Sequence, residues 1–172
     1  MKIGVFGGSF NPSHKMHLNI GLELVNKQYV DKVIYVPTGS KYKYKNLSVD
    51  DYELKDEVVY TCETLAYFKE LYPNDEIYFI CGADNLSYID KWKNGEDILN
   101  NYKIIAMKRK GEDIEELLKK FVAYQNNIIV ADVEQQDISS TDIREKLKNN
   151  ENVLDVLDKD VYEYIRKNKL YE

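Results

Sequence analysis

What most restricts the fold of this chain is a regular alternation of short, mostly apolar runs with longer stretches of helical pattern. The runs KIGVF (2–6), KVIYV (32–36), EIYFIC (76–81), KIIAM (103–107) and NIIVA (127–131) are rich in β-branched and aromatic residues. Apolar side chains at consecutive positions suit strands buried on both faces of a parallel sheet. Helical patterns fall at TCETLAYFKEL (61–71) and DIEELLKKFVAY (113–124), and two more close the chain near 141–148 and 158–167. Strand and helix in repetition predict an α/β architecture: a Rossmann-like doubly wound parallel sheet of about five strands with flanking helices and right-handed crossovers. A length of 172 residues suits a single domain over 1–172. The stretch 39–56 carries no clear strand or core helix, but it holds Lys41, Lys43 and Lys45. Long loops in compact domains are often functional.

Ligands in such folds sit beyond the carboxyl ends of the strands, so the residues that follow each strand matter most. The first strand runs into GGSFNPSHKMH (7–17). Gly7 and Gly8 predict a tight turn and close backbone approach by a ligand. Ser13 or Asn11 is the expected cap of a helix beginning near His17, and a helix amino terminus can hold phosphate. His14 and His17 are the only histidines in the chain, and their spacing lets both reach one phosphoryl group. As a zinc site the pair fails on count, with no third histidine, no nearby cysteine and no HExxH spacing.

Near the other end, Ser139, Ser140 and Thr141 precede a helix, so hydroxyls and free N–H groups can face phosphates there. Arg144 lies four residues after Ser140 on the same helical face, with a planar fork that suits phosphate oxygens. The formal net charge of −6 argues against a protein that lives on nucleic-acid backbones and favours a pocket with local donors. Hydrophobic residues at 44 % and charged residues at 31 % are ordinary for a soluble globular protein. The chain opens without the long apolar stretch of a secretory signal, and no window approaches the roughly 20 apolar residues of a membrane span. Cys62 and Cys81 stand alone and read as reduced thiols of a cytoplasmic protein.

These segments resemble one known family. GSFNPSHKMH is similar to the GxFDPxHxGH signature of the bacterial-type nicotinate mononucleotide adenylyltransferases, within the HxGH nucleotidyltransferase superfamily. ISSTDIR (138–144) is similar to that superfamily's ISSTxIR, YTCETL (60–65) to YTxDTL, and ICGADNLSYIDKWKN (80–94) to the GxDxxxxxxxW segment. The ending VYEYIRKNKLY also resembles the family's usual ending, and the matches keep family order over nearly the whole chain. The resemblance implies transfer of an adenylyl group from ATP to nicotinate mononucleotide, giving deamido-NAD and pyrophosphate in NAD biosynthesis. It implies His14, His17 and Arg144 as catalytic residues. It implies Gly7, Gly8, Ser9, Phe10, Asp84, Ser139, Ser140 and Thr141 as the ATP site. Thr61, Thr64 and Trp92 would bind the acceptor, with Trp92 stacking on the pyridine ring, together with one of Lys41, Lys43 and Lys45. Mg²⁺ would arrive with ATP, held by its phosphates rather than by protein ligands. The partners implied are small-molecule nucleotides, with neither nucleic acid nor membrane. Oligomeric state is left open, a homo-oligomer included.

The chain departs from the family pattern at four places. Asn11 stands for the usual Asp, and Met16 replaces the glycine of HxGH. PTGSKYKYKNL (37–47) stands where the family has PPHK, and the stretch between Tyr52 and Tyr60 is short. These changes bear on rate and substrate more than on fold. They keep two alternatives open: a sister enzyme acting on nicotinamide mononucleotide or phosphopantetheine, and a catalytically weakened nucleotide-binding regulatory protein. YTCETL and Trp92 favour a pyridine nucleotide, since phosphopantetheine offers tryptophan nothing flat to stack on.

Overall fold

A computed structural model of the chain describes residues 1–37, 47–54, 58–108, 114–133 and 138–171. Its strands are β1 (Lys2–Gly8), β2 (Lys32–Pro37), β3 (Leu47–Val49), β4 (Glu76–Gly82), β5 (Lys103–Met107) and β6 (Ile128–Ala131). They form one sheet in the order β3-β2-β1-β4-β5-β6, and every neighbouring pair is parallel. The five apolar runs of the sequence are all present as strands. The sixth, β3, spans three residues inside the stretch 39–56 and pairs only with β2. The segment around Lys41, Lys43 and Lys45, like residues 55–57 between Tyr52 and Tyr60, lies outside the described residues.

The helices are α1 (Lys15–Asn26), α2 (Thr61–Leu71), α3 (Ala83–Leu86), α4 (Gly95–Asn101), α5 (Ile114–Lys120), α6 (Ser140–Lys148) and α7 (Lys159–Lys167). The pattern 113–124 divides into α5 and a 3₁₀ segment, Val122–Asn127.

Period-two side-chain alternation splits each central strand between two cores. Ile3 and Val5 of β1, Ile34 and Val36 of β2, Ile77, Phe79 and Cys81 of β4, and Ile104 and Ala106 of β5 face one way. There they meet Leu65 and Phe68 of α2 and Ile98 and Leu99 of α4. Phe6, Val33, Tyr78, Ile80, Ile105 and Met107 face the other way, against Met16, Ile20 and Leu24 of α1. The α1 residues recur every four positions, which puts them on one stripe. A third, smaller core is built from Ile143, Leu147, Val153, Leu157 and Ile165, which ties α6 to α7. Among the described residues no helix is long and apolar enough to cross a membrane.

The consequence for function lies in the strand order. From β1 the chain steps outward to β2 and β3, then returns past β1 to β4, β5 and β6 on its other side. The carboxyl ends of β1 and β4 therefore diverge at the switch point, where a crevice opens.

Candidate active site

A cavity of about 550 Å³ occupies that crevice. Its floor is the ends of β1 and β4: Phe6, Gly7 and Gly8 from one, Cys81 and Gly82 from the other. Ser9, Phe10, His14, Met16 and His17 form one wall, and Ile138, Ser139, Ser140 and Asp142 form the opposite wall. A Cβ at Gly7 would meet no protein atom within 4 Å, so its missing side chain leaves the floor open rather than relieving a clash. At Gly82 a Cβ would collide with Asp84 Oδ1, because the carboxylate of Asp84 folds back over the end of β4.

The turn after β1 differs in detail from its sequence-based expectation. Gly7 and Gly8 are the last residues of the strand, still paired with Val36 and Pro37, so they make no turn. The chain reverses beyond them, at Phe10 with φ 41° and through a cis Asn11–Pro12 bond. Helix α1 is capped by His14, with φ −137° and ψ 167°, and not by Ser13 or Asn11. The reason is that the ring nitrogen of the next-turn histidine reaches back: the His14 amide donates to His17 Nδ1 at 3.3 Å. A neutral His17 then carries its proton on Nε2.

The two imidazoles stack, with ring centroids 3.7 Å apart and 26° between planes. His17 also meets the edge of the Phe10 ring at 4.8 Å, and Phe10 rests on Phe6 and Tyr35 at 5.5 and 5.8 Å. The Tyr35 hydroxyl donates to the His17 carbonyl at 2.8 Å, and burial pushes the phenol up, so it stays a neutral donor. His14 is only 6 % exposed, and loss of water around it lowers its pKa from 6.5 to about 4. Its Nδ1 is buried with no hydrogen-bond partner among the described residues. Met16, at the position usually held by glycine, packs inward with Phe10 and Ile20 while forming part of the wall.

The opposite wall is the start of α6. Ser139 is its cap, accepting from the Asp142 amide at 3.1 Å and donating to Asp142 Oδ2 at 2.6 Å. The Ser140 hydroxyl crosses to the first motif and donates to the Pro12 carbonyl at 3.0 Å. Arg144 follows it: Nη1 donates to the Asn11 carbonyl at 2.7 Å and Nη2 to Thr141 Oγ1 at 3.1 Å. Residues more than 120 positions apart are thus stitched over one cavity.

Of the expected site residues, Gly7, Gly8, Ser9, Phe10, His14, His17, Ser139 and Ser140 line the cavity. Thr141 and Arg144 flank it through the bonds above, and Asp84 borders it through Gly82. Thr61, Thr64 and Trp92 are not in its wall. Thr61 and Thr64 belong to α2 and Trp92 packs against the first core; near them Lys93 pairs with Glu63 of α2 at 2.7 Å and sits over the Tyr60 ring at 4.3 Å. Tyr60 caps α2, its amide donating to Glu63 Oε2 at 3.0 Å. Thr64 is 2 % exposed and donates to Glu53 Oε1 at 2.6 Å. Trp92 packs edge-on against Phe79 at 6.1 Å. Lys41 lies outside the described residues.

Sequence reasoning missed Phe6, Cys81, Met107, Asn85, Ile138 and Asp142 as cavity residues. The first three lie within two residues of the carboxyl ends of β1, β4 and β5, so the carboxyl-end rule would have found them. Asp142 carried no signal, because its place depends on the Ser139 cap.

A switch-point cavity faced by a helix amino terminus and two histidines defines a nucleotide-handling α/β domain of the nucleotidyltransferase class. The chain belongs to the cytidylyltransferase-like family, whose model matches residues 5–146. Over 99 % of its length it is 36 % identical to a probable nicotinate-nucleotide adenylyltransferase of Clostridium acetobutylicum, covering 98 % of that protein. A protein of the same name from Clostridium tetani is 34 % identical, with 99 % and 98 % of the two chains covered. The fold is similar to that of Plasmodium falciparum nicotinic acid mononucleotide adenylyltransferase, solved with APC and with NaAD. The TM-score is 0.81 in each case, at 23 % and 22 % identity. Those alignments cover 99 % of this chain and 96 % and 97 % of the solved chains.

Proposed function

We propose that this chain is an adenylyltransferase that joins nicotinate mononucleotide to ATP, forming deamido-NAD and releasing pyrophosphate. One observation carries the reading: the histidine loop and the α6 start face each other across a single switch-point cavity, joined by Ser140 to Pro12 and Arg144 to Asn11. The names of the full-length relatives support the choice of acceptor.

The chemistry is an in-line displacement. A phosphate oxygen of the mononucleotide attacks the α-phosphorus of ATP; a P–O bond forms as the bond to the pyrophosphate oxygen breaks. Positioning and charge stabilisation supply most of the acceleration, so no covalent enzyme intermediate is required. Gly7, Gly8, Ser9 and Phe10 shape the floor against the nucleotide, and Asp84 reaches its ribose. The first-turn N–H groups of α6, with Ser139, Ser140 and Thr141, face the β- and γ-phosphates. Arg144 holds the departing pyrophosphate.

His17 donates from Nε2 to a phosphate oxygen. His14 enters the site neutral, and its unpaired buried nitrogen is a polar atom that a phosphate hydroxyl or oxygen can satisfy. An approaching triphosphate raises its proton affinity, so His14 gains charge as negative charge builds. Mg²⁺ would enter as the magnesium complex of ATP, held by its phosphates. Thr61, Thr64, Trp92 and Lys41 are assigned to the acceptor. A reducing cytoplasm suits the two free cysteines.

The test is an acceptor screen scored by pyrophosphate release with ATP and Mg²⁺. Nicotinate mononucleotide is expected to give the highest kcat/KM. Preference for nicotinamide mononucleotide or phosphopantetheine overturns the substrate. ATP binding by calorimetry with no pyrophosphate from any acceptor replaces the enzyme with a nucleotide-binding regulator.

A further inference from the structure

The end of the chain returns to the loop that carries the histidines. The Tyr171 hydroxyl donates to Asn11 Oδ1, in a close contact spanning 160 residues of sequence. Arg144 holds the backbone carbonyl of the same residue at 2.7 Å, so Asn11 is gripped by its main chain and its side chain at once. Four residues on, Lys15 is held as firmly by the segment between α6 and α7. Its amide donates to the Val156 carbonyl at 2.9 Å, and its ammonium to the carbonyls of Leu154 and Asp155 at 2.9 and 3.1 Å. His14 therefore sits between two residues anchored from outside, Asn11 and Lys15, and His17 follows in the first turn of α1.

Lys169, at φ 51°, is the left-handed residue that ends α7, closed by the Leu170 amide on the Ile165 carbonyl at 3.0 Å and its own amide on the Arg166 carbonyl at 3.3 Å; Tyr171 beyond it is left-handed as well, at φ 67°, a conformation that side chains with a Cβ rarely occupy. Such strain persists only where surrounding contacts over-determine it, and it gathers at functional sites. Here the Tyr171 ring packs on the third core, and the hydroxyl projects to Asn11. On the far side of that contact Phe10 is also left-handed, at φ 41°. Two left-handed residues, Phe10 and Tyr171, from opposite ends of the sequence, meet at one asparagine.

We infer that Tyr171 is a positioning residue for the histidine loop: it acts through Asn11 to hold His14 and His17 in register with the cavity floor. This rests on the adenylyl-transfer reading for its consequence in rate, but not for its structural content. A displacement of about 1 Å at a reacting group is enough to cost up to about a hundredfold in rate, so one hydrogen bond at the root of the loop can matter far more than its own strength. The small core of α6 and α7 then serves as the frame on which the catalytic loop is mounted.

Tyr171→Phe deletes only the hydroxyl and leaves the ring in its core. We expect kcat to fall about tenfold with KM for ATP changed less than about threefold, the signature of lost transition-state alignment. The melting temperature should drop by no more than about 4 °C, as for one half-exposed hydrogen bond. Asn11→Ala keeps the carbonyl that Arg144 holds and should match the Tyr171→Phe loss; the double variant should be no worse than either single. Losses that multiply in the double variant, or a Tyr171→Phe enzyme with normal kcat, overturn the assignment. Because His14 and His17 are the only histidines, their imidazole NMR signals report the loop without any turnover. In Tyr171→Phe the His14 titration midpoint should climb from about 4 toward its ordinary value of 6.5 as water enters. If the wild-type chain turns over no acceptor, the adenylyl-transfer reading fails, while unchanged imidazole titration fails the positioning role separately.

Discussion

The two places where the sequence put functional residues have been built in opposite ways. Around the cavity, His14 leaves a buried nitrogen unpaired, and Ser140 and Arg144 make the bonds that hold the two motifs together over one space. Around α2 and Trp92, polar groups are spent on one another: Thr64 on Glu53, Glu63 on Lys93 and the Tyr60 amide. The contrast teaches that the phosphate end is preformed, because the same bonds that fold the motifs together also aim them. At the proposed acceptor end Thr64 is already engaged, so binding through it must trade an existing bond for a new one.

The sharpest way to break this comparison is at the cavity. His17→Ala should lower pyrophosphate release at least about a hundredfold, as expected for a lost donor to developing charge. Near-normal turnover would remove His17 from the mechanism and the cavity from its privileged position. Next in size is Arg144→Lys. The guanidinium reaches Asn11 and Thr141 together, and a point-charge ammonium cannot make both contacts. Its kcat/KM for ATP should fall about tenfold, measured at saturating mononucleotide; a drop confined to the mononucleotide KM would move Arg144 to the other region.

A pH titration sharpens the same contrast through stability. Protonating His14 is harder in the folded chain, with pKa about 4, than in the unfolded chain at 6.5. Between those values the folded state binds fewer protons, so its stability is intact above about pH 6.5 and falls as the solution is acidified toward pH 4. Urea unfolding should show about 1–2 kcal/mol of His14-dependent loss between pH 7 and 5, absent from His14→Gln. An identical pH profile in the variant would mean that His14 is hydrated after all.

The smallest effect belongs to the α2 region. Thr64→Val removes the donor to Glu53 and should cost about 1 kcal/mol of stability by chemical denaturation. KM for ATP should stay unchanged. A raised ATP KM would erase the separation between the two regions.

Much of the sheet was legible because its cause is local. KIIAM is β5 residue for residue and TCETLAYFKEL is α2, since β-branched runs and helical periodicity act over a few neighbours. β3 escaped because three residues carry no period, and it exists only by pairing with β2. The histidine loop and ISSTDIR were legible as phosphate-type motifs, but the cap of α1 was misplaced. His14 takes that role only because His17 Nδ1 accepts its amide, a bond that no propensity encodes.

The sequence alone determined five of the six strands and which segments carry imidazoles, hydroxyls and a guanidinium. Those are properties of residue type and short spacing. Tertiary structure alone decided that His14 would be buried and neutral, that Thr64 would answer to Glu53, and that Tyr171 would reach Asn11. Each depends on which surfaces the parallel crossovers bring together. Desolvation and hydrogen bonding act through space at a few ångströms, whatever the distance along the chain.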